Sequence, residues 1–189
     1  MVSIAVVYHS GFGHTAQQAQ AVVTGIESVK GAIPHLISVE TVDQHWDTLA
    51  QADAIIFGAP TYMGSASAQF KEFQDKSSKV WFEGGWKDKL AAGFTNSASQ
   101  SGDKLQTLNQ LAIFAAQHGM IWVPLGLSPG NNSSKGSPQD LNRLGSFLGA
   151  MAQSNSDASP DEAPPAADKK TAEHLGRRVA EAAHRWALK

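Results

Sequence analysis

A short loop near the start of the chain combines hydroxyl groups, glycines and a histidine at a spacing suited to binding an anion. It follows an apolar run over residues 2–7 and precedes apolar residues that recur at helical spacing over residues 19–29, so it is predicted to join a strand to a helix. Backbone N–H groups at a helix start, together with the positive end of the helix dipole, attract phosphate. The loop residues are Ser10, Gly11, Phe12, Gly13, His14 and Thr15.

The residue types in this loop favour a phosphate that is held rather than hydrolysed. Glycines allow the backbone to approach a ligand closely, and the hydroxyls of Ser10 and Thr15 can donate hydrogen bonds to phosphate oxygens. The Walker lysine is missing, which disfavours ATP or GTP hydrolysis. Ala16 replaces the third glycine of G-x-G-x-x-G, which disfavours a Rossmann dinucleotide site. His14 either contacts the phosphate or faces solvent, and a plain strand-to-helix turn stays an alternative.

Two further loops follow the predicted strands over residues 53–58 and 89–94. The carboxyl ends of parallel strands meet at one edge of a sheet, so we expect these loops beside the phosphate loop. Tyr62 and Met63 either lie against a flat ring or pack beneath their loop. The candidate ligand-binding residues of the two loops are Pro60, Thr61, Tyr62, Met63 and Gly64, and then Asn96, Ser97, Ala98, Ser101 and Gly102.

Predicted strands and helices alternate along the whole chain. The strands fall over residues 2–7, 35–40, 53–58, 89–94 and 120–125, and their continuous apolar runs are typical of parallel strands covered on both faces. This pattern predicts a three-layer α/β fold with a five-stranded parallel sheet in the doubly wound order 2-1-3-4-5. One domain is expected over residues 1–189, with a Pro-rich segment at about 155–167 as a tether before the last helix.

Composition excludes several classes of function. The chain has no cysteine, which excludes disulfides, zinc–thiolate sites and thiol nucleophiles. A net charge of −2 without a basic stripe argues against nucleic acid as a partner. No apolar stretch approaches the roughly 18 residues of a membrane span, and no basic leader precedes the first strand, so a cytoplasmic protein is expected. The seven histidines show no metal-ligand spacing, so no metal site is predicted.

Aromatic residues cluster after the third predicted helix. Trp81, Phe82 and Trp86 lie around two glycines and serve either as packing in the core or an interface, or as a wall of a neighbour's active site. Exposed aromatic residues often mark interfaces, so a homodimer or homotetramer is predicted. His118, at the end of a predicted helix, either faces the helix dipole or has a functional role.

Three segments together resemble a known family. Residues 8–15 (YHSGFGHT), 55–64 (IIFGAPTYMG) and 118–120 (HGM) are similar in order and spacing to the WrbA-type NAD(P)H:quinone oxidoreductases, a flavodoxin-like family, over about residues 2–126. The resemblance implies a flavodoxin-like fold and non-covalently bound FMN. It also implies that NADH or NADPH supplies two electrons for a quinone or similar small-molecule acceptor.

The resemblance also implies roles for individual residues. Residues 10–15 match the phosphate loop of the family, and Phe12 stands where a tyrosine usually touches the nicotinamide cofactor. Tyr62 lies in the segment beside the flavin ring, and residues 96–101 match a further flavin-binding loop. His118 matches a histidine of the flavin pocket, and Trp81 matches an aromatic at the substrate mouth. Tyr62 and His118 are therefore expected to orient the acceptor or relay a proton.

Two other functions stay open at this point. The first is a flavodoxin-type electron carrier that binds FMN and docks on protein partners; such carriers usually have a strongly acidic docking face and shield the flavin with aromatic side chains. The net charge of −2 and the lack of aromatic residues over 95–102 favour the enzyme. The second is a flavodoxin-fold protein that acts without flavin, which the phosphate loop disfavours.

Overall fold

The centre of the molecule is a mainly parallel β-sheet, seen in a computed structural model that describes residues 1–187. Residues 188 and 189, at the end of the expected domain, lie outside the described residues. Hydrogen bonding connects the strands in the order β2-β1-β3-β5-β6. The strands are β1 (Val2–Tyr8), β2 (Ala32–Ser38), β3 (Ala54–Tyr62), β4 (Ser65–Ala66), β5 (Leu90–Ser97), β6 (Ile121–Trp122) and β7 (Ala150–Gln153).

Helices cover both faces of the sheet and give the three predicted layers. Successive side chains of a strand point to opposite faces, so Ile4 and Ile56 join one buried cluster while Ala5 and Ile55 join the other. The helices are α1 (His14–Glu27), α2 (Trp46–Gln51), α3 (Ala68–Lys76), α4 (Ser78–Phe82), α5 (Lys104–Gln117) and α6 (Ala166–Ala187), with a 3-10 helix over Val39–Gln44. The cluster that contains Ile4 includes residues of α1 and α6, and the cluster that contains Ala5 includes residues of α3 and α5.

The fifth position of the sheet is split between two short strands, of which only β6 falls within the strand predicted over residues 120–125. β6 pairs with the start of β5 through Leu90, whereas β7 pairs with its end from Phe94 onward, so both occupy the edge that is not taken by β3. Between them the chain leaves the sheet, because the N–H of Leu125 donates to Phe147 O at 3.0 Å instead of to β5. The short β4 adds an antiparallel pairing to β3. The doubly wound class is confirmed, but the count of five strands is wrong.

Helices α1 and α6 pack with their backbones almost in contact. A Cβ added to Gly25 would lie 1.9 Å from the carbonyl oxygen of Glu173, and one added to Gly176 would lie 2.0 Å from that of Val22. Only glycine fits at either position, so this pair fixes the distance between the two helices. No helix within residues 1–187 is long and apolar enough to cross a membrane.

Candidate functional site

The phosphate loop has the geometry of an anion site. Gly13 precedes α1 at φ +86, a left-handed conformation that favours glycine, and this residue has no side chain to cap the helix start. The first turn contains no acidic residue. The hydroxyl oxygen of Ser10 accepts a hydrogen bond from Ala16 N at 3.0 Å, so its proton is free to be donated elsewhere. The loop therefore presents helix N–H groups and hydroxyls to a ligand.

All three predicted loops meet around a cavity of about 260 Å³ at the carboxyl edge of the sheet. None of its lining residues is acidic. The other predicted residues (Ser10, Gly11, Gly13, Met63, Gly64, Ser101 and Gly102) belong to the same loops without lining the cavity. The lining residues are Phe12, His14, Thr15, Pro60, Thr61, Tyr62, Asn96, Ser97, Ala98, Ser154 and Ser156.

Buried hydroxyl groups fix the loop that follows β3. Thr61 Oγ1 lies 2.8 Å from Thr95 Oγ1 and 2.8 Å from Thr107 Oγ1, which ties the end of β3 to β5 and α5. Beyond this anchor, Met63 adopts a positive φ of 48 and its side chain is fully exposed. Gly64 follows at φ 78, so these two residues form the tight turn that joins the antiparallel strands β3 and β4.

Phe12 and Tyr62 form the aromatic part of the site. Their ring centroids lie 6.2 Å apart with the planes at 72°, and Phe12 is 74% exposed. The Tyr62 hydroxyl packs closely on the phosphate loop, since a Cβ added to Gly11 would lie 2.6 Å from it. Burial raises the pKa of Tyr62, although a hydrogen bond with the backbone of Gly11 opposes the shift. The phenol therefore stays protonated at neutral pH and can donate a hydrogen bond.

A segment after β7, residues 154–160, covers the phosphate loop; we call it the strap. His14 Nε2 is 2.8 Å from the carbonyl oxygen of Ala158, and a Cβ added to Gly13 would lie 2.5 Å from Cγ of Pro160. Ser154 donates its hydroxyl to Asn96 Oδ1 at 3.0 Å. The predicted Pro-rich tether is thus packed against the site.

Sequence reasoning missed the two strap serines that line the cavity. Ser154 N donates to Ser97 O at 3.1 Å, so this serine is placed by the end of β5, while Ser156 lies two residues further along the strap. Neither residue belongs to a motif. Their position depends on the pairing of β7 with β5, which no local sequence pattern predicts.

His118 lies outside this cavity. It follows α5, which runs back to the amino ends of the strands, whereas the phosphate loop lies at their carboxyl ends. Its ring is 4.3 Å from that of Trp86, and Nε2 is 2.9 Å from the Ser77 hydroxyl. Burial lowers the pKa of His118 to about 4, so the ring is neutral at pH 7. The structure therefore does not bring His118 together with the phosphate loop, and its contact with the cofactor stays a prediction.

Trp81 also lies away from the phosphate loop. With His118 it lines a larger cavity of about 730 Å³ between α3, α4 and α5. Trp81 is 50% exposed and Phe82 is more exposed still, whereas Trp86 is buried in the core. Only part of the predicted aromatic cluster is therefore available to a partner or ligand.

The chain matches a known protein family. Residues 13–133 match the family model described as NADPH-dependent FMN reductase. The chain belongs to the NADPH-dependent FMN reductase family. FMN is accordingly its cofactor and NAD(P)H its electron donor, and the protein is a flavoprotein oxidoreductase. The donor set fits FMN, because helix N–H groups and hydroxyls line a cavity without carboxylates.

Relatives of this FMN reductase family member cover nearly its whole length. Flavodoxin FldP of Pseudomonas aeruginosa is 46% identical over 95% of this chain and 96% of its own. An NAD(P)H dehydrogenase (quinone) of Acidithiobacillus ferrooxidans is 32% identical over 96% of each chain. The crystal structure of a flavodoxin, WrbA-like protein from Agrobacterium tumefaciens is 41% identical, with a TM-score of 0.76 over 98% of this chain and 99% of that one. These matches confirm the flavodoxin-like fold and the resemblance to WrbA-type proteins.

Proposed function

We propose that the chain forms one flavodoxin-like domain that transfers two electrons from NAD(P)H to a quinone or a similar small-molecule acceptor. The observation that carries the proposal is the cavity where the phosphate loop meets two polar loops beside an exposed aromatic residue, Phe12. FMN, when bound, supplies the redox chemistry by accepting a hydride and passing two electrons on. The side chains around the cavity supply binding, orientation and a proton donor.

The phosphate loop would hold the FMN phosphate. The N–H groups of the first turn of α1 and the hydroxyls of Ser10 and Thr15 are the donors, and His14 stands beside them. Tyr62 and its neighbours over 60–64 would flank the flavin ring, and residues 96–98 would hydrogen-bond its polar edge. Residues 101 and 102 connect that loop to α5, whose first residue, Lys104, donates its backbone N–H to Ser101 O at 3.2 Å.

An open approach for the acceptor supports an enzyme. Residues 95–102 contain no aromatic side chain, so this loop offers no ring to cover the flavin, in contrast to Phe12 and Tyr62 on the other side. Tyr62 is protonated and can hydrogen-bond an acceptor oxygen. Phe12, which is exposed, would contact the nicotinamide ring.

Trp81 and His118 take part only if a second copy of the chain is present. They line the larger cavity between α3, α4 and α5, where exposed Trp81 and Phe82 offer apolar surface. We therefore keep a homodimer or homotetramer as part of the proposal. Size-exclusion chromatography with light scattering tests it, and a monomer at working concentration would exclude any role for these residues at a shared site.

The proposal is tested by reconstitution with FMN. The protein is saturated with FMN, freed of excess cofactor and mixed anaerobically with NADH or NADPH in a stopped-flow instrument, and a benzoquinone is added afterwards. We expect bound flavin absorbance, bleaching by one or both nicotinamide cofactors and recovery with the quinone. Failure to retain FMN would contradict both the enzyme and the electron-carrier reading.

An electron carrier is the second candidate, because the 46% identical relative from Pseudomonas aeruginosa is named a flavodoxin. Bound FMN that neither NADH nor NADPH bleaches, but that a reductase protein reduces, would favour this function. The net charge of −2 weighs against it, since docking faces of such carriers are usually strongly acidic.

A further inference from the structure

A fully buried lysine lies directly beneath the third loop of the site. Lys104 begins α5, is 0% exposed and forms no ion pair within residues 1–187. Its ammonium donates to Ser97 Oγ at 2.8 Å, to Ser99 O at 2.7 Å and to Gln100 O at 2.7 Å. All three of its N–H donors are therefore used on residues 97–100.

These contacts decide the shape of the loop. The carbonyl groups of Ser99 and Gln100 turn inward to the ammonium, so the N–H groups of the same trans peptides point away from it. The loop backbone is otherwise held by few hydrogen bonds: Lys104 N donates to Ser101 O at 3.2 Å, and Ser97 Oγ donates to Ser99 O at 3.0 Å. Lys104 is thus the main anchor of residues 99 and 100.

A second group of charged residues holds the same loop from the strap side. Gln153 Nε2 donates to Ala98 O at 2.8 Å, and Gln153 N donates to Asp168 Oδ2 at 2.9 Å. Asp168 is in turn bound by Arg143 through two bonds of 2.7 and 2.8 Å. Because Arg143 balances Asp168, the Lys104 charge is left without a carboxylate of its own.

We propose that Lys104 is a positioning residue for the cofactor: its buried ammonium fixes residues 97–100 in the shape that presents Ser97 and Ala98 to the FMN cavity. The inference rests on the proposed function for its ligand, but the ordering of the loop by Lys104 is independent of it. The buried charge of Lys104 lowers the stability of the fold, but the loop that this charge orders lines the cofactor cavity.

Lys104→Met tests the proposal, with Lys89→Met as the matched control. Lys89 Nζ donates to the carbonyl oxygens of Ala50 and Ala52 in the same manner, but it precedes β5 at the opposite edge of the sheet. Lys104→Met is expected to weaken FMN binding about tenfold for each loop residue that binding must then order. Lys89→Met is expected to bind FMN as the wild type does.

Two measurements separate positioning from a general loss of structure. In the apoprotein, amide hydrogen exchange over residues 97–101 should accelerate in Lys104→Met and stay unchanged in Lys89→Met. In the wild type, FMN affinity should fall as the pH rises through about 8, where Lys104 loses its charge, and this pH dependence should vanish in Lys104→Met. Burial lowers the pKa of Lys104 from 10.5 to about 8; Asp168 opposes this shift, and Arg143 adds to it.

The outcomes distinguish this inference from the proposed function. If the wild type binds no FMN, the proposed function fails, while hydrogen exchange still reports whether Lys104 orders the loop. If Lys104→Met binds FMN with wild-type affinity and unchanged pH dependence, the positioning role is refuted and the proposed function stands. Should Lys104→Met not fold, Lys104→Gln takes its place, and wild-type FMN affinity with unchanged hydrogen exchange over residues 97–101 in that variant overturns the proposal.

Discussion

Removing the buried charge of Lys104 should change how the stability of the apoprotein depends on pH. Burial lowers the pKa of Lys104 from 10.5 to about 8, with Asp168 opposing the shift and Arg143 adding to it. Between these pH values the unfolded chain binds more protons than the folded one, so the free energy of unfolding rises with pH. At about 1.36 kcal/mol per pKa unit, the wild type gains about 3 kcal/mol relative to Lys104→Met as the pH rises from 7 to 10.5.

Urea unfolding of the two apoproteins at several pH values between 7 and 10.5 measures this difference. Trp86, buried in the core, reports unfolding through its fluorescence. Lys30, which is exposed, offers a control, since the stability of Lys30→Met should follow that of the wild type. A difference in the free energy of unfolding between Lys104→Met and the wild type that stays constant across the whole pH range would refute the buried charge. If the difference in the free energy of unfolding closes at high pH, and Lys104→Met also binds FMN more weakly, then the buried charge lowers stability while it orders the site.

Three further perturbations test other parts of the structure. Ser10→Ala combined with Thr15→Ala should raise the Kd for FMN at least about a hundredfold, because each of the two lost bonds to the phosphate contributes roughly 1.5–3 kcal/mol. Fluorescence titration measures this Kd, and an unchanged affinity would contradict the assignment of the phosphate loop. Burial lowers the pKa of His118 from 6.5 to about 4, so the free energy of unfolding falls by about 3 kcal/mol as the pH drops from 6.5 toward 4. His118→Phe should remove this acid sensitivity in urea unfolding, and an unaltered pH profile would exclude His118 as its source. Gly176→Ala should lower the free energy of unfolding by roughly 1–3 kcal/mol, since its Cβ would lie 2.0 Å from Val22 O; a wild-type Tm would disprove that contact.

Local patterns in the sequence were sufficient to predict the central part of the fold and the phosphate loop. The apolar run of β1, the glycines beside Ser10 and the helical repeat of α1 act within a few residues of one another, so their structure follows from nearby chemistry. The same holds for Pro60 and the end of β3. The order of the sheet then brought both loops to one edge, as the doubly wound arrangement requires.

Features set by distant contacts were not predictable in this way. Ser154 reaches the cavity only because β7 pairs with the far end of β5, after the chain has left the sheet beyond Val123 and returned. His118 belongs to a matching motif, yet α5 carries it to the opposite edge from the phosphate loop. The burial of Lys104 could not be predicted from the sequence, since a lysine in the first turn of a helix is ordinarily solvated.

The split of the fifth strand has a practical consequence for engineering. β6 and β7 share one edge of β5, so residues 131–135, all exposed, form the tip of a detour that starts and returns at the same side of the sheet. A tag, a reporter or a second protein inserted at this tip adds length without changing any strand pairing. The returning chain passes through Ala150 and Ala152, which are buried in the core, before it reaches Gln153 and the strap, so strain from such an insert would meet the core before it reached the cofactor cavity.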